Sequence, residues 1–142
     1  MIGERTAEEI KIKIGSAYPQ GEGKSMEIRG RDLVTGLPRT IEFTSADTFQ
    51  AMSEPITTIV DGIKAVLERC PPELASDIVD KGIIMTGGGS LLYGFTKLLS
   101  EDTGIPIHLA EDPLSCVALG TGKVLECLDS FRNGIIVGSR SV

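Results

Sequence analysis

The fold is decided by the stretch Ile83-Ile84-Met85-Thr86-Gly87-Gly88-Gly89-Ser90-Leu91-Leu92-Tyr93-Gly94. A short apolar run, three glycines and a hydroxyl residue before further apolar positions predict a strand, a tight turn and the start of a helix. Glycine has no Cβ, so a ligand can approach the main chain closely, and the first amides of a helix favour a phosphate. A glycine triplet is neither a P-loop nor a dinucleotide-binding fingerprint, however. The residues alone therefore leave two interpretations open, a phosphate contact or a turn that only connects a strand to a packed helix.

The bulk composition limits the function further. The 142 residues, 41% of them apolar and 24% charged, suit one globular domain or two small lobes. The net charge of −6 argues against nucleic acid as a partner. No apolar run reaches the roughly 18 residues of a membrane span, and the N-terminus does not resemble a secretory signal. Three scattered cysteines and one histidine predict neither a metal site nor a catalytic nucleophile.

The first third of the chain predicts a helix and a β-hairpin. Thr6 and Glu9 fit a capping box, with Thr6 as the N-cap of a helix over residues 7–16. Apolar and polar residues alternate in segments 26–31 and 40–44, which predicts two half-buried antiparallel strands.

The rest of the chain alternates predicted helices and strands, the pattern of an α/β fold. Ser45 is expected to cap a helix that Pro55 kinks or restarts. Asp112 and Pro113 are expected to begin the last helix, as its N-cap and first helical residue. The other predicted elements are helices over residues 73–80 and 90–100 and strands over residues 83–85 and 106–109.

The last helix is expected to pack closely on the core, with two glycines that allow a close approach of backbones. Its predicted buried residues are Leu114, Val117, Ala118, Leu125 and Leu128, and the two glycines are Gly120 and Gly122. The predicted organisation is therefore a small α+β outer lobe over residues 1–52, an inner α/β lobe over residues 53–130 and a tail over residues 131–142.

Six motifs occur in order along the chain. They are Ile-Gly-Glu-Arg-Thr-Ala-Glu at 2–8, Ile-Arg-Gly-Arg-Asp at 28–32, Gly-Leu-Pro at 36–38, Pro-Pro-Glu-Leu-Ala at 71–75, Thr-Gly-Gly-Gly at 86–89, and Ala-Glu-Asp-Pro with Ala-Leu-Gly-Thr-Gly at 110–113 and 118–122. Together they resemble the C-terminal portion of the MreB/Mbl family of bacterial actin homologues. The resemblance implies the second half of an actin-like, ribonuclease-H-like fold, with a partial inner subdomain and a small α+β outer subdomain. It also implies a fragment of a filament protein that organises cell-wall synthesis and determines rod shape.

The resemblance implies ATP as the cofactor and places its contacts in two segments. Gly87, Gly88 and Gly89 would lie against the phosphates and the sugar, with Leu91 and Leu92 beside the adenine. On the first predicted helix, Glu8 and Lys11 lie one turn apart and match the positions that face ribose and adenine. Two alternatives remain: Leu91 and Leu92 could pack in the core as part of a helix, and Glu8 and Lys11 could be an ordinary solvated helix face.

Several parts of the family's catalytic apparatus have no counterpart in this sequence. Both phosphate loops, of the Asp-Leu-Gly-Thr and Asp-Ile-Gly-Gly-Gly-Thr types, are absent, as is the residue that positions the attacking water. The magnesium ligands and the membrane-inserting loop also belong to the missing half. No catalytic residue is therefore assigned, and no ATP hydrolysis is expected from this chain alone, because phosphoryl transfer needs these parts together.

For the intact protein the resemblance implies self-association into filaments and contacts with cell-shape and wall-synthesis proteins, including RodZ-type partners. It implies a cytoplasmic location at the inner face of the cell membrane. Two alternatives differ in class: a stand-alone interaction module that binds no nucleotide, and a sugar-kinase-like enzyme of the same superfamily. The missing phosphate loops and the lack of a sugar-binding acidic motif weigh against the enzyme.

Overall fold

A computed structural model describes residues 1–19 and 23–128 and has the α/β architecture predicted for the chain. Its strands form two separate two-stranded sheets, one antiparallel and one parallel. The predicted tail over residues 131–142 lies outside the described residues. The elements are α1 (Glu4–Ile14), β1 (Ser25–Arg31), β2 (Pro38–Thr44), α2 (Ser45–Glu68), α3 (Pro72–Lys81), β3 (Ile83–Met85), a 3-10 turn (Gly88–Leu91), α4 (Phe95–Thr103), β4 (Ile107–Leu109) and α5 (Cys116–Glu126).

Helix α1 packs on the hairpin of β1 and β2. The two strands pair in antiparallel register, with Ile28 opposite Ile41, which confirms the predicted hairpin. Ile28 points to the helix side and forms a small core with Ile10 and Ile14 of α1. Alternation along the strands thus puts one face of the hairpin against α1.

The turn between β1 and β2 is held by the carboxylate of Asp32. Its Oδ1 accepts hydrogen bonds from the amides of Val34, at 2.8 Å, and Thr35, at 3.0 Å, while Arg39 donates to Oδ2 at 3.2 Å. Hydrogen bonds that favour the charged form lower the pKa of Asp32 to about 2, with the Thr35 amide as the largest cause. Gly36 closes the turn at a φ of +74°, which L side chains rarely adopt.

The long helix α2 runs without a break across the predicted lobe boundary at residue 52. Thr44, not the predicted Ser45, is its N-cap, and a capping box joins Thr44 to Asp47. The Ser45 side chain is buried instead and bonds to the backbone of Lys24. The hydrogen bond from the Thr44 hydroxyl lowers the pKa of the Asp47 carboxyl.

Pro55 does not restart α2, contrary to one of the two outcomes predicted for it, because the helix is continuous from Ser45 to Glu68. A proline cannot donate to the carbonyl four residues earlier. Side-chain hydroxyls around the proline donate to other carbonyls of the helix: Ser53 to Gln50, Thr57 to Ser53 and Thr58 to Glu54, all at 2.8–3.0 Å.

The inner core lies between α2 and α4. Ile56 and Val60 of α2 pack with Phe95 and Leu99 of α4, and Ala17 joins them from the segment after α1. Strands β3 and β4 flank this core as a parallel pair with Ile83 opposite Ile107, as the predicted strands require.

The prediction for the last helix is wrong in two respects. Residues 112–115 form a turn, in which the Ser115 amide donates to the Asp112 carbonyl at 3.2 Å, and α5 begins only at Cys116. The residues predicted to be buried are exposed, and a Cβ built on Gly120 or Gly122 meets no atom within 4 Å. Helical periodicity reports an apolar face, but the described residues supply no second layer to cover it. The exposed residues are Leu114, Val117, Ala118, Leu125 and Leu128.

A smaller correction concerns α1. The helix begins at Glu4 after Gly3, whose carbonyl accepts from the Ala7 amide at 3.0 Å. Thr6 is therefore inside the helix, so the predicted capping box of Thr6 and Glu9 is wrong. Both Glu4 and Arg5 are favourable helix residues, which lets the helix extend past the expected cap.

Among the described residues, no helix combines the length and the apolar character of a membrane span.

The Asp32 turn predicts a pH dependence. The carboxyl should titrate at a pKa of about 2 rather than the ordinary 3.8. Because the folded-state pKa is lowered, the stabilisation of the hairpin is complete above the ordinary value and is lost as the pH falls toward about 2. The carboxyl carbon shift in an NMR titration measures this directly. Asp32→Asn should abolish the accompanying shifts of the Val34 and Thr35 amides, and a wild-type midpoint near 3.8 would contradict the turn geometry.

Candidate functional site

The glycine triplet forms the predicted tight turn after β3. Gly87 adopts a φ of +81° and a ψ of 165°, a region that is essentially restricted to glycine. Its amide donates to the carbonyl of Pro113 at 2.7 Å, and its carbonyl accepts from the Ser90 hydroxyl at 2.6 Å. The turn is thus fixed on both sides by neighbouring backbone and side-chain groups.

The predicted single helix over residues 90–100 is wrong. Gly88–Leu91 is one 3-10 turn, Leu92 is extended, and α4 begins at Phe95 after Gly94 in the left-handed conformation. The helical pattern of the sequence therefore belongs to two elements separated by a short connection.

The turn leaves open space over its backbone. A Cβ on Gly87 or Gly89 would meet no atom within 4 Å, and one on Gly88 would lie 3.3 Å from Cδ2 of Leu114. Gly88 and Gly89 begin the 3-10 turn, where amides lack an intrahelical acceptor. The Gly87 amide is already bonded to Pro113. The backbone available to a ligand is therefore that of Gly88 and Gly89.

The two leucines after the triplet differ in their surroundings. Leu91 is 51% exposed beside the turn. Leu92 is half-buried against the inner core, and its Cδ1 lies only 2.9 Å from the position that a Cβ of Gly15 would take. The alternative of core packing thus describes the Leu92 side chain, whereas its contact with a nucleotide stays a prediction.

Glu8 and Lys11 are both exposed on α1. Lys11 borders a cavity of about 270 Å³ between α1, β2 and α2. Apart from Lys11 and Thr48, the residues that line this cavity are apolar: Ile2, Ala7, Ile10, Phe43, Ala51 and Met52. A cation at the edge of an apolar cavity suits a planar ligand with a polar rim better than it suits a bare ion.

The residues that follow α1 contact the connection that follows the glycine turn, and neither Glu8 nor Lys11 takes part in these contacts. Ser16 pairs with Tyr93 in an isolated parallel bridge, and the Ala17 amide donates to the Tyr93 carbonyl at 2.8 Å. The Gly15 amide donates to the Lys11 carbonyl at 3.0 Å, a bond within the C-terminus of α1 that ends the helix just before Ser16. The helix that carries Glu8 and Lys11 therefore ends directly against the connection that follows the glycine turn.

Tyr18 and Gly94 also contact each other at this junction, and neither contact was predicted from the sequence. A glycine five residues after Gly89 inside an apolar-periodic stretch is a possible indication of a helix boundary. Nothing in the local sequence indicates the partner segment.

Within residues 1–19 and 23–128, no group of three or more histidine, cysteine or acidic side chains is placed to hold a metal ion.

Comparison with known proteins places this architecture among bacterial actin homologues. The MreB/Mbl protein family matches residues 1–133. The chain is 53% identical over 129 residues to the cell shape-determining protein Mbl of Bacillus cereus, and 54% identical over 129 residues to the cell shape-determining protein MreB of Escherichia coli. These matches cover 91% of the chain but only 39% and 37% of the two relatives. The chain thus spans less than half the length of the curated relatives it matches.

Solved structures show the same partial correspondence. MreB5 of Spiroplasma citri bound to ADP is 36% identical, with a TM-score of 0.85 over 89% of this chain and 39% of that protein. Its structure bound to AMPPNP gives a TM-score of 0.86 over 94% of this chain and 40% of that protein. The architecture described above therefore corresponds to part of an actin-like protein.

The backbone conformation of the turn can be tested with a matched pair of alanine variants, at Gly87 and at Gly89. Gly87→Ala should lower the free energy of unfolding by about 1–3 kcal/mol, because alanine is strained at this φ although space is available. Gly89→Ala has the same open space without a positive φ, and should be neutral or stabilising by up to about 1 kcal/mol. Urea unfolding of both variants measures the difference. Equal stabilities would show that the turn conformation is not constrained as described.

Proposed function

Because this chain belongs to the MreB/Mbl family, we propose that it is part of a cell shape-determining, actin-like protein and supplies one side of an adenine-nucleotide site. The observation that carries the proposal is the junction of α1 with the segment after the glycine turn. This junction puts the end of the helix that carries Glu8 and Lys11 against the connection after the glycine turn, in a fold that matches structures bound to ADP and AMPPNP.

Each segment would contact a different part of the nucleotide. The backbone of Gly88 and Gly89 would lie against the phosphates and the sugar, with open space above Gly89 for their approach. The Glu8 carboxylate would accept hydrogen bonds from ribose hydroxyls, and Lys11 would lie beside the base. Leu91, exposed next to the turn, would cover the adenine ring.

The chain would bind nucleotide without hydrolysing it. Hydrolysis requires a metal ion, a phosphate cradle and a group that positions water, all at one place. In this proposal the two phosphate loops and the magnesium ligands come from the part of the relatives' length that the chain does not span.

The same family membership leads to proposals about how the intact protein assembles and where it is located. The intact protein would form filaments at the cytoplasmic face of the cell membrane and contact wall-synthesis proteins and RodZ-type partners. The exposed apolar residues of α5, among them Val117 and Leu125, support contact with further protein surface. They also favour a second candidate, an interaction module that binds no nucleotide.

Titration with ADP tests the nucleotide site. Gly89→Val places a branched side chain in open space at an ordinary φ, so it should leave the fold intact and weaken ADP binding at least tenfold. Gly62→Val is the matched control, because Gly62 on α2 also has no neighbour within 4 Å and is not part of the site. Calorimetry and amide shifts measure both. Unchanged ADP affinity in Gly89→Val would contradict the site, and no ADP binding by the wild type would favour the interaction module.

A separate prediction concerns turnover. The purified chain with ATP and magnesium should release no phosphate above the protein-free rate, because the chain lacks the motifs of both phosphate loops. A steady-state phosphate-release assay measures this, with the chain carrying Gly89→Val as the control for contaminating ATPases. Turnover that follows the protein through purification and disappears in Gly89→Val would show that the chain is catalytically complete.

A further inference from the structure

Tyr18 connects the end of α1 to one face of α4. Its Cβ lies over Gly94, its ring lies 4.2 Å below the Lys97 ammonium, and its hydroxyl donates to Glu101 Oε1 at 3.2 Å. Gly94, Lys97 and Glu101 follow one another at three- and four-residue spacing, so they lie along one side of the helix. A single side chain thus contacts α4 from its N-cap to the end of its second turn.

The backbone around Tyr18 is fixed in the core. Ala17 is 0% exposed and Ser16 is 1% exposed. The Ser16 hydroxyl donates to the Tyr18 carbonyl, and the Ala17 amide donates to the carbonyl of Tyr93. The segment is held by its backbone on one side and by the Tyr18 side chain on the other.

We propose that Tyr18, seated on Gly94, is a positioning residue that fixes the end of α1 against the segment after the glycine turn, and thereby holds Glu8 and Lys11 in place relative to Gly88 and Gly89. This inference rests on the proposed nucleotide site. Tyr18 itself is not placed in contact with the ligand.

The geometry of Gly94 carries the inference. A Cβ at this position would lie 2.3 Å from Cβ of Tyr18 and 3.4 Å from its Cα and Cγ, so any side chain would displace the tyrosine. Gly94 also adopts a φ of +72° as the N-cap of α4. Glycine is therefore required here for two reasons, the backbone conformation and the seat of Tyr18.

The same helix contains a matched control. Gly104, the C-cap of α4, has a φ of +69° and a ψ of 9°, against +72° and 4° for Gly94. A Cβ on Gly104 meets nothing within 4 Å. Gly94→Ala and Gly104→Ala therefore introduce the same backbone strain at opposite ends of α4, and only the first displaces Tyr18.

The experiment compares these two variants in the complete chain by two readouts. Exchange of the Ala17 amide, which donates to Tyr93 across the junction, reports how firmly α1 is held. Gly94→Ala should accelerate this exchange at least tenfold relative to Gly104→Ala and should raise the Kd for ADP at least fivefold. Amides of α2, around Val60, serve as the reference and should exchange alike in both variants.

Tyrosine variants keep the inference testable if Gly94→Ala does not fold. Tyr18→Ala should reproduce the loosening of the Ala17 amide and the loss of ADP affinity. Tyr18→Phe keeps the ring over Gly94 and under Lys97 and removes only the hydroxyl bonded to Glu101, so it should stay within about twofold of wild type in both readouts.

Equal Ala17 exchange in Gly94→Ala and Gly104→Ala would overturn the inference, and so would faster exchange with unchanged ADP affinity, which would make Tyr18 a purely structural contact. If the wild-type chain binds no ADP, the proposed function fails on that result. The Ala17 comparison still decides whether Tyr18 positions α1: a tenfold difference supports it, and equal exchange refutes it.

Discussion

The rest of the structure depends on the contact between residues 16–18 and residues 93–94. Ala17 lies only three residues beyond the end of α1, yet it is completely buried in the inner core with Ile56 and Phe95. The chain that leaves α1 therefore enters the hydrophobic core between α2 and α4 within three residues. Ala17 has a small side chain, and its amide donates to the carbonyl of Tyr93. Residues 16–18 and 93–94, which come from opposite halves of the chain, can therefore pack with their backbones in direct contact.

Local sequence patterns were sufficient where the structure is itself local. The hairpin could be predicted because alternation along β1 and β2 requires no knowledge of a distant partner. Strand β3 could be predicted because glycines bound a short apolar run. The start of α2 was displaced by one residue, since Thr44 and Ser45 are both good caps and the buried bond from Ser45 to Lys24 decides between them.

Features that depend on tertiary contacts could not be predicted in this way. The residues of α5 have the periodicity of a buried helix, but burial requires a covering layer, which the described residues do not supply on this face. At the candidate site, the glycine turn followed from its residues, whereas Glu8 and Lys11 entered only through a family resemblance. Gly94 was not predicted as a helix boundary. The side chain that packs on it belongs to Tyr18, which is far away in sequence.

Helix α2 has a mechanical consequence because it contacts both hydrophobic cores. With 24 residues it is about 36 Å long; near its start the Thr48 hydroxyl donates to the Ile14 carbonyl beside α1, and further along Val60 packs in the core with α4. A movement of the hairpin relative to the core of α2 and α4 is expected to bend this helix. Resistance to bending is lowest where a main-chain hydrogen bond is missing, which is the turn before Pro55. Bending between the hairpin that carries Asp32 and the core beside the glycine turn is therefore expected at this one proline.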